Sequence, residues 1–154
     1  MTHSTLSDGV WYWKQLLTPQ VLEQMHHSIK GVAWEPRTNA AGTALALPGN
    51  THGAVTGQIC DYFSQPALVE QISDLTGIAL HHFLGTVIQV EPGHTFNGYH
   101  SAFPVAMHIN LSVKPLPAWG LEPGDARILK LAGRRAPSPL GHGSRCLLVD
   151  GYFV

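Results

Sequence analysis

Residues 80–113 read LHHFLGTVIQVEPGHTFNGYHSAFPVAMHINLSV, and the period of this stretch decides the fold. From Leu80 onward apolar residues recur every second position, the mark of a strand whose side chains alternate between two faces. Leu80, His82, Leu84, Thr86, Ile88 and Val90 share one face, and His81, Phe83, Gly85, Val87 and Gln89 the other. After a Gly- and His-rich crossing the alternation returns. Val105, Met107, Ile109, Leu111 and Val113 point one way, and Ala106, His108, Asn110 and Ser112 the other. That second face is polar in a strand that should be central, so it is expected to line a cavity. His94, Tyr99 and His100 gather at the crossing, which is where any chemistry is expected.

Upstream, the pattern is helical. Met1–Gly9 is polar and reads as a loose terminus, and Val10–Leu17 (VWYWKQLL) as a strand leading into a helix. Thr18 suits the N-cap, Pro19 the first helical position and Gly31 the stop. Val21, Leu22, Met25 and Ile29 give that helix one apolar stripe, with His26 and His27 beside it at the surface or boundary. A second helix is predicted over Pro66–Thr76, capped by Ser64 or Gln65, ended by Gly77, with Leu68, Val69, Ile72 and Leu75 inward. Between them Trp34–Gly57, which holds His52, reads as a long connection fit to serve as a lid.

Downstream, Pro115–Gly124 is a turn-rich connection around Trp119, followed by strands at Arg127–Leu131 and Arg145–Phe153. Two helices before a block of strands indicate a segregated α+β chain, mainly β, and short strands between Gly/Pro turns point to a jelly roll or barrel. One domain over residues 1–154 is expected, with helical support and a long loop in 1–79 and the strand core in 80–154.

Composition narrows the partners. The chain has 154 residues and a formal charge of −1, which offers no electrostatic ground for nucleic acid or an anionic membrane as partner. Cys60 and Cys146 form no metal or redox spacing, and no apolar run reaches membrane-spanning length, so a cytoplasmic setting is expected. Only 12 % of residues are charged while ten are His, so a surface rich in His, Ser, Thr, Asn and Gln is expected.

The order of these features resembles the 2-oxoglutarate/Fe(II)-dependent oxygenase superfamily, in its small prolyl-hydroxylase-like branch. The carrying segments are LTPQVLEQM, FSQPALVEQISDLTGI, the strand reaching EPG, VAMHINLS, EPGDARIL and RAPSPLGHGSRCLLVDGYF. The resemblance implies a double-stranded β-helix, cupin-like, with the two early helices packed on one sheet. It also implies Fe(II) and 2-oxoglutarate as cofactors, an iron site of His-x-Asp/Glu plus a distal His, and an Arg for the oxoglutarate carboxylate. Residue by residue, His100 matches the first His and Arg145 the carboxylate-binding Arg. The chain departs from the pattern twice: Ala102 stands where the acid belongs, and Arg135, ten residues before Arg145, where the distal His belongs. A guanidinium has no free lone pair to give a metal.

Several readings of the site residues therefore stand together. His100, His94 and His142 can form a three-His site for iron, zinc or copper, with His108 also within reach. Tyr99 and His108 can act as a proton-transfer pair. Arg145 can hold a carboxylate or pair with Asp150 or Glu91. Asn110 is placed with Arg145 as cofactor-binding, or serves an adjacent strand. Arg135, turned inward, supplies a fixed positive charge, and Trp119 and Tyr152 form aromatic walls. Three functions follow: an oxygenase-like enzyme with an altered iron shell, a metal-free enzyme on the same scaffold, or a catalytically silent binding module. The oxygenase-like enzyme would act on a small molecule, a carboxylate among the candidates, and the metal-free one would use His and Arg for acid–base work and anion stabilisation. Trp34–Gly57, a partner subunit or a second copy would complete the pocket.

Overall fold

The computed structural model describes residues 2–7, 9–39, 42–47, 53–97, 103–131, 140–141 and 145–154. The chain begins with β1 (Thr2–Ser7) and β2 (Val10–Lys14), an antiparallel pair, then α1 (Pro19–Ile29). A hairpin of β3 (Glu35–Asn39) and β4 (Gly42–Ala46) leads to α2 (Gly53–Phe63) and α3 (Pro66–Thr76). The remainder is β5 (Phe83–Val90), β6 (Thr95–Phe96), β7 (Val105–Asn110), β8 (Ala126–Lys130), β9 (Leu140–Gly141) and β10 (Cys146–Phe153).

One antiparallel ladder runs β1-β2-β8-β7-β10-β5-β4-β6-β9, with β3 beside β4. It is a mainly β, jelly-roll architecture with helices against one face. The helix ends obey the expected chemistry: Thr18 Oγ1 accepts the N–H of Val21, and Gly77 closes α3 in the left-handed region at φ 73°. Gln65 stands at the N-cap of α3, but its side chain makes no capping bond. Ser64 instead accepts the Phe83 N–H at 2.8 Å and ties α2 to β5.

Three expectations are corrected. Met1–Gly9 is not loose throughout, because Thr2–Ser7 pairs with β2. Trp34–Gly57 is not a featureless lid: it holds the β3–β4 hairpin and the start of α2, so among the described residues three helices, not two, accompany the sheet. Residues 1–79 are accordingly more than helical support, since β2 pairs with β8 and β4 with β5. Short, small side chains such as those of GTALA pack under a neighbouring strand without a strong period of their own, which hides them from pattern reading.

The central strands are buried on both faces. Phe83, Val87, Met107, Ile109, Val149 and Phe153 meet Phe63 and Ile72 from the helices in one cluster. Ile88, Val90, Phe96, Trp119, Leu121 and Leu148 form a second cluster on the opposite face. The predicted alternation assigns the buried residues of β5 and β7 to the two faces correctly, but Leu80, before β5, packs with Phe83 and Val87 instead, and Leu84 and Val113 are exposed. His26 bonds through its ring Nε2 to the Leu111 carbonyl and pins α1 to the end of β7.

Candidate functional site

Cross-strand register, not sequence proximity, builds the site. Thr86 on β5 lies opposite Asp150 on β10, Asp150 opposite His108 on β7, His108 opposite Arg127 on β8, and Arg127 opposite Tyr12 on β2. Successive strands sit about 4.8 Å apart, so these side chains form one polar row running across the sheet. They project from the face opposite the helices, the face of Ile88, Leu148 and Trp119. Thr86, Asp150, His108 and Arg127 are all buried. The row on one side is apolar at Ile88 and Leu148, and the row on the other carries Tyr152, Ala106 and Leu129.

His108 is fully buried, and its Nε2 lies 3.1 Å from Asp150 Oδ1. The contact is a close ion-pair approach whose angles fall short of an aligned hydrogen bond. Burial pulls His108 below the ordinary imidazole range. The Asp150 contact pulls it up, the Arg127 charge pulls it down, and the Asp150 charge pulls it up again. The net direction is downward, so the ring is neutral at neutral pH. A neutral imidazole with one nitrogen against a carboxylate carries its proton on that nitrogen. His108 therefore holds Nε2–H toward Asp150 and keeps a lone pair on Nδ1. Nδ1 has no hydrogen-bond partner among the described residues.

Aromatic rings frame the row. The Arg127 guanidinium carbon sits 3.7 Å from the centroid of the Trp119 ring, a cation–π stack. Trp119 and Phe96 flank His108 at 5.1 and 6.0 Å between centroids. Phe103 stacks on Tyr152 at 4.8 Å. Burial and the Asp150 charge hold the Tyr152 phenol well above its ordinary range, opposed by Arg37, so it is protonated at neutral pH.

No family's sequence pattern matches the chain, and no curated protein matches its sequence. Solved structures do match it. A prolyl-4-hydroxylase from Pseudomonas putida superposes with a TM-score of 0.65 at 15 % identity, over 94 % of this chain and 91 % of that one. An oxidoreductase of the 2OG-Fe(II) oxygenase family from Burkholderia pseudomallei gives 0.62 at 11 % identity, over 94 % and 85 %. This chain has a 2-oxoglutarate oxygenase-like fold.

Within that fold, the residues singled out from the sequence separate widely. His108 takes the centre of the polar row, with Trp119 beside it. Asn110 is turned to backbone: its Nδ2 donates to Lys114 O at 2.9 Å and Leu121 O at 3.0 Å, while its Oδ1 accepts from Ser112 N. Its amide is fully engaged in holding the excursion after β7, which corrects its assignment to cofactor binding. Arg145 is exposed and its Nε donates to Glu91 Oε2 at 3.0 Å, the surface pairing and not the interior one. By the parity of β10, Arg145 falls on the side of Val149 and Phe153, not on the face of Cys146, Leu148 and Asp150 that carries the polar row. His94 is exposed in the turn after β5. Tyr99, His100, Arg135 and His142, with Ala102, lie outside the described residues.

By side-chain chemistry alone, Ala102 and Arg135 offer no lone pair to a metal ion. Among the described residues no three His, Cys, Asp or Glu side chains come together to hold a metal ion. His108 and Asp150 supply two donors, and these face each other.

Pattern reading missed Thr86, Arg127 and the role of Asp150. One signal was present for Asp150: it stands at an inward position of the otherwise apolar run CLLVDGYF. An unexplained carboxylate there calls for a buried partner.

Proposed function

We propose that this protein is an acid–base enzyme on the oxygenase-like scaffold, acting on a small carboxylate-bearing molecule without an iron step. One observation carries the reading: a buried, neutral His108 with a lone pair on Nδ1 that no described residue uses. An unbonded polar atom in a core costs about 1–3 kcal/mol, and sites of chemistry are where such costs are retained. Asp150 sets the tautomer and stabilises the imidazolium once a proton arrives, the division of labour between a base and its orienting carboxylate.

Arg127 holds the carboxylate. A planar guanidinium binds it through two parallel N–H bonds, and stacking on Trp119 fixes that plane. His108 Nδ1 then takes a proton from the atom beside the carboxylate, and Arg127 steadies the negative charge that develops on the carboxylate oxygens. This role passes to Arg127 from Arg145, which is engaged with Glu91 at the surface.

Calorimetric titration with small carboxylates, with the matching amides as controls, tests the binding half. Arg127→Met is expected to weaken carboxylate binding by about 10- to 100-fold, the range of a charge-assisted pair, while Arg145→Ala leaves it unchanged. Proton NMR in D2O tests the chemistry. Wild type should exchange the hydrogen next to the carboxylate, and His108→Gln should not. Equal binding of amides and carboxylates, or loss of binding in Arg145→Ala alone, overturns the assignment.

A further inference from the structure

The far end of the polar row, away from Arg127, carries the Thr86 hydroxyl, which the reaction above leaves idle, beside the Asp150 carboxylate that orients His108. Thr86 Oγ1 is buried with no hydrogen-bond partner among the described residues, and Asp150 Oδ1 has no aligned one. The two residues are direct cross-strand neighbours between β5 and β10, and both point into the same interior face. Buried hydroxyls ordinarily bond a backbone carbonyl or a neighbouring side chain, as Thr76 does at the end of α3 and half-buried Ser64 does after α2. Thr86 does neither.

We infer that Thr86 and Asp150 form a hydroxyl-reading subsite, so that the ligand is a short hydroxy acid gripped at both ends of the row. This rests on the carboxylate reading of Arg127. The donor and acceptor count selects the group. Ionised Asp150 can only accept, whereas the Thr86 hydroxyl has a hydrogen to give. One ligand hydroxyl satisfies both, donating to Asp150 and accepting from Thr86. An ammonium would serve Asp150 yet leave the Thr86 hydrogen undonated, and a methyl would serve neither. The order along the row fixes the relative placement. His108 lies between Arg127 and Asp150, so the atom facing the base lies between carboxylate and hydroxyl. The hydroxyl is thus on the third carbon or beyond, not on the carbon that bears the carboxylate.

Calorimetric titration with butanoate, 3-hydroxybutanoate and 3-aminobutanoate, on wild type, Thr86→Val and Arg127→Met, tests the subsite. Wild type should bind the hydroxy acid at least about 10-fold tighter than butanoate, the usual penalty for leaving built polar groups unpaired. Thr86→Val should bind both alike, at the butanoate affinity, and should melt a few degrees higher because an unbonded buried hydroxyl has become a methyl. Equal binding of butanoate and 3-hydroxybutanoate by wild type overturns the subsite while leaving the Arg127 reading intact. So does preference for the amino acid, or a Thr86→Val variant that melts lower yet keeps the hydroxyl preference. If wild type binds none of the three, the Arg127 reading itself falls, and the subsite with it.

Discussion

At the scale of single residues, His108 makes a pH signature that needs no substrate. Its pKa is lowered in the folded state, by burial first. Below the ordinary imidazole value of about 6.5 the unfolded chain takes up a proton that the folded chain refuses. Stability therefore falls as pH drops below that point, by up to about 1.4 kcal/mol per pH unit until the folded-state ring also titrates. Urea unfolding from pH 7.5 to 5 should show a steeper loss in wild type than in His108→Gln, and parallel slopes would place the protonation elsewhere. This residue was legible from sequence, because a polar side chain on one face of VAMHIN stands out against period-two alternation. Arg127 was not. It begins the run RILKL, where a charged first residue reads as a strand end, and only its register against His108 reveals it as interior. Arg145 misled for the complementary reason. Family-style spacing pointed to it, while it lies off the face of the polar row and pairs with Glu91 at the surface.

Among the elements, the β5–β10 pair depends on two glycines that sequence reading passes over. Gly85 and Gly151 are cross-strand partners, and the ring of Phe83 lies over both. A Cβ at Gly85 would come 2.6 Å from Phe83 Cζ, and one at Gly151 would overlap the same atom. That ring is itself wedged between Phe63 and Phe153 at 5.4 and 5.1 Å. Gly151→Ala should therefore cost about 1–3 kcal/mol by overpacking, read as a lower urea midpoint. Gly57 is the contrast: it lies within α2 with nothing near its missing Cβ. Gly57→Ala should raise stability by about 0.5–1 kcal/mol. If the two substitutions behave alike, steric crowding around Phe83 is not the cause. Elements with strong local period, such as β5, β7, α1 and α3, were all readable. The β3–β4 hairpin was not, since its pairing is supported by β5 and β6 from later in the chain, and Gly42 fits only because no Cβ meets Thr95 there.

Across the whole molecule, helices and sheet share one cluster: Phe63 and Ile72 from the helical layer pack with Met107, Ile109 and Val149 from the central strands. Neither layer has a separate core on that side. Melting followed by far-UV and near-UV circular dichroism should give coincident transitions, and a helical signal lost well before the aromatic one would contradict a shared core. The mainly β fold was accessible from sequence because the strand block is long and periodic. The order β8-β7-β10-β5 was not, because β10 is distant in the chain from both of its neighbours, β7 and β5.

The stacking of Arg127 on Trp119, with His108 5.1 Å away, also makes the molecule a gauge of its own interior. Indole emission responds to nearby charge, and Trp119 is one of only four tryptophans. Its share of the fluorescence, isolated by subtracting a Trp119→Phe spectrum, should change in colour or yield as an anion settles against Arg127. Occupancy could then be followed by light in the unmodified protein, before any turnover is known.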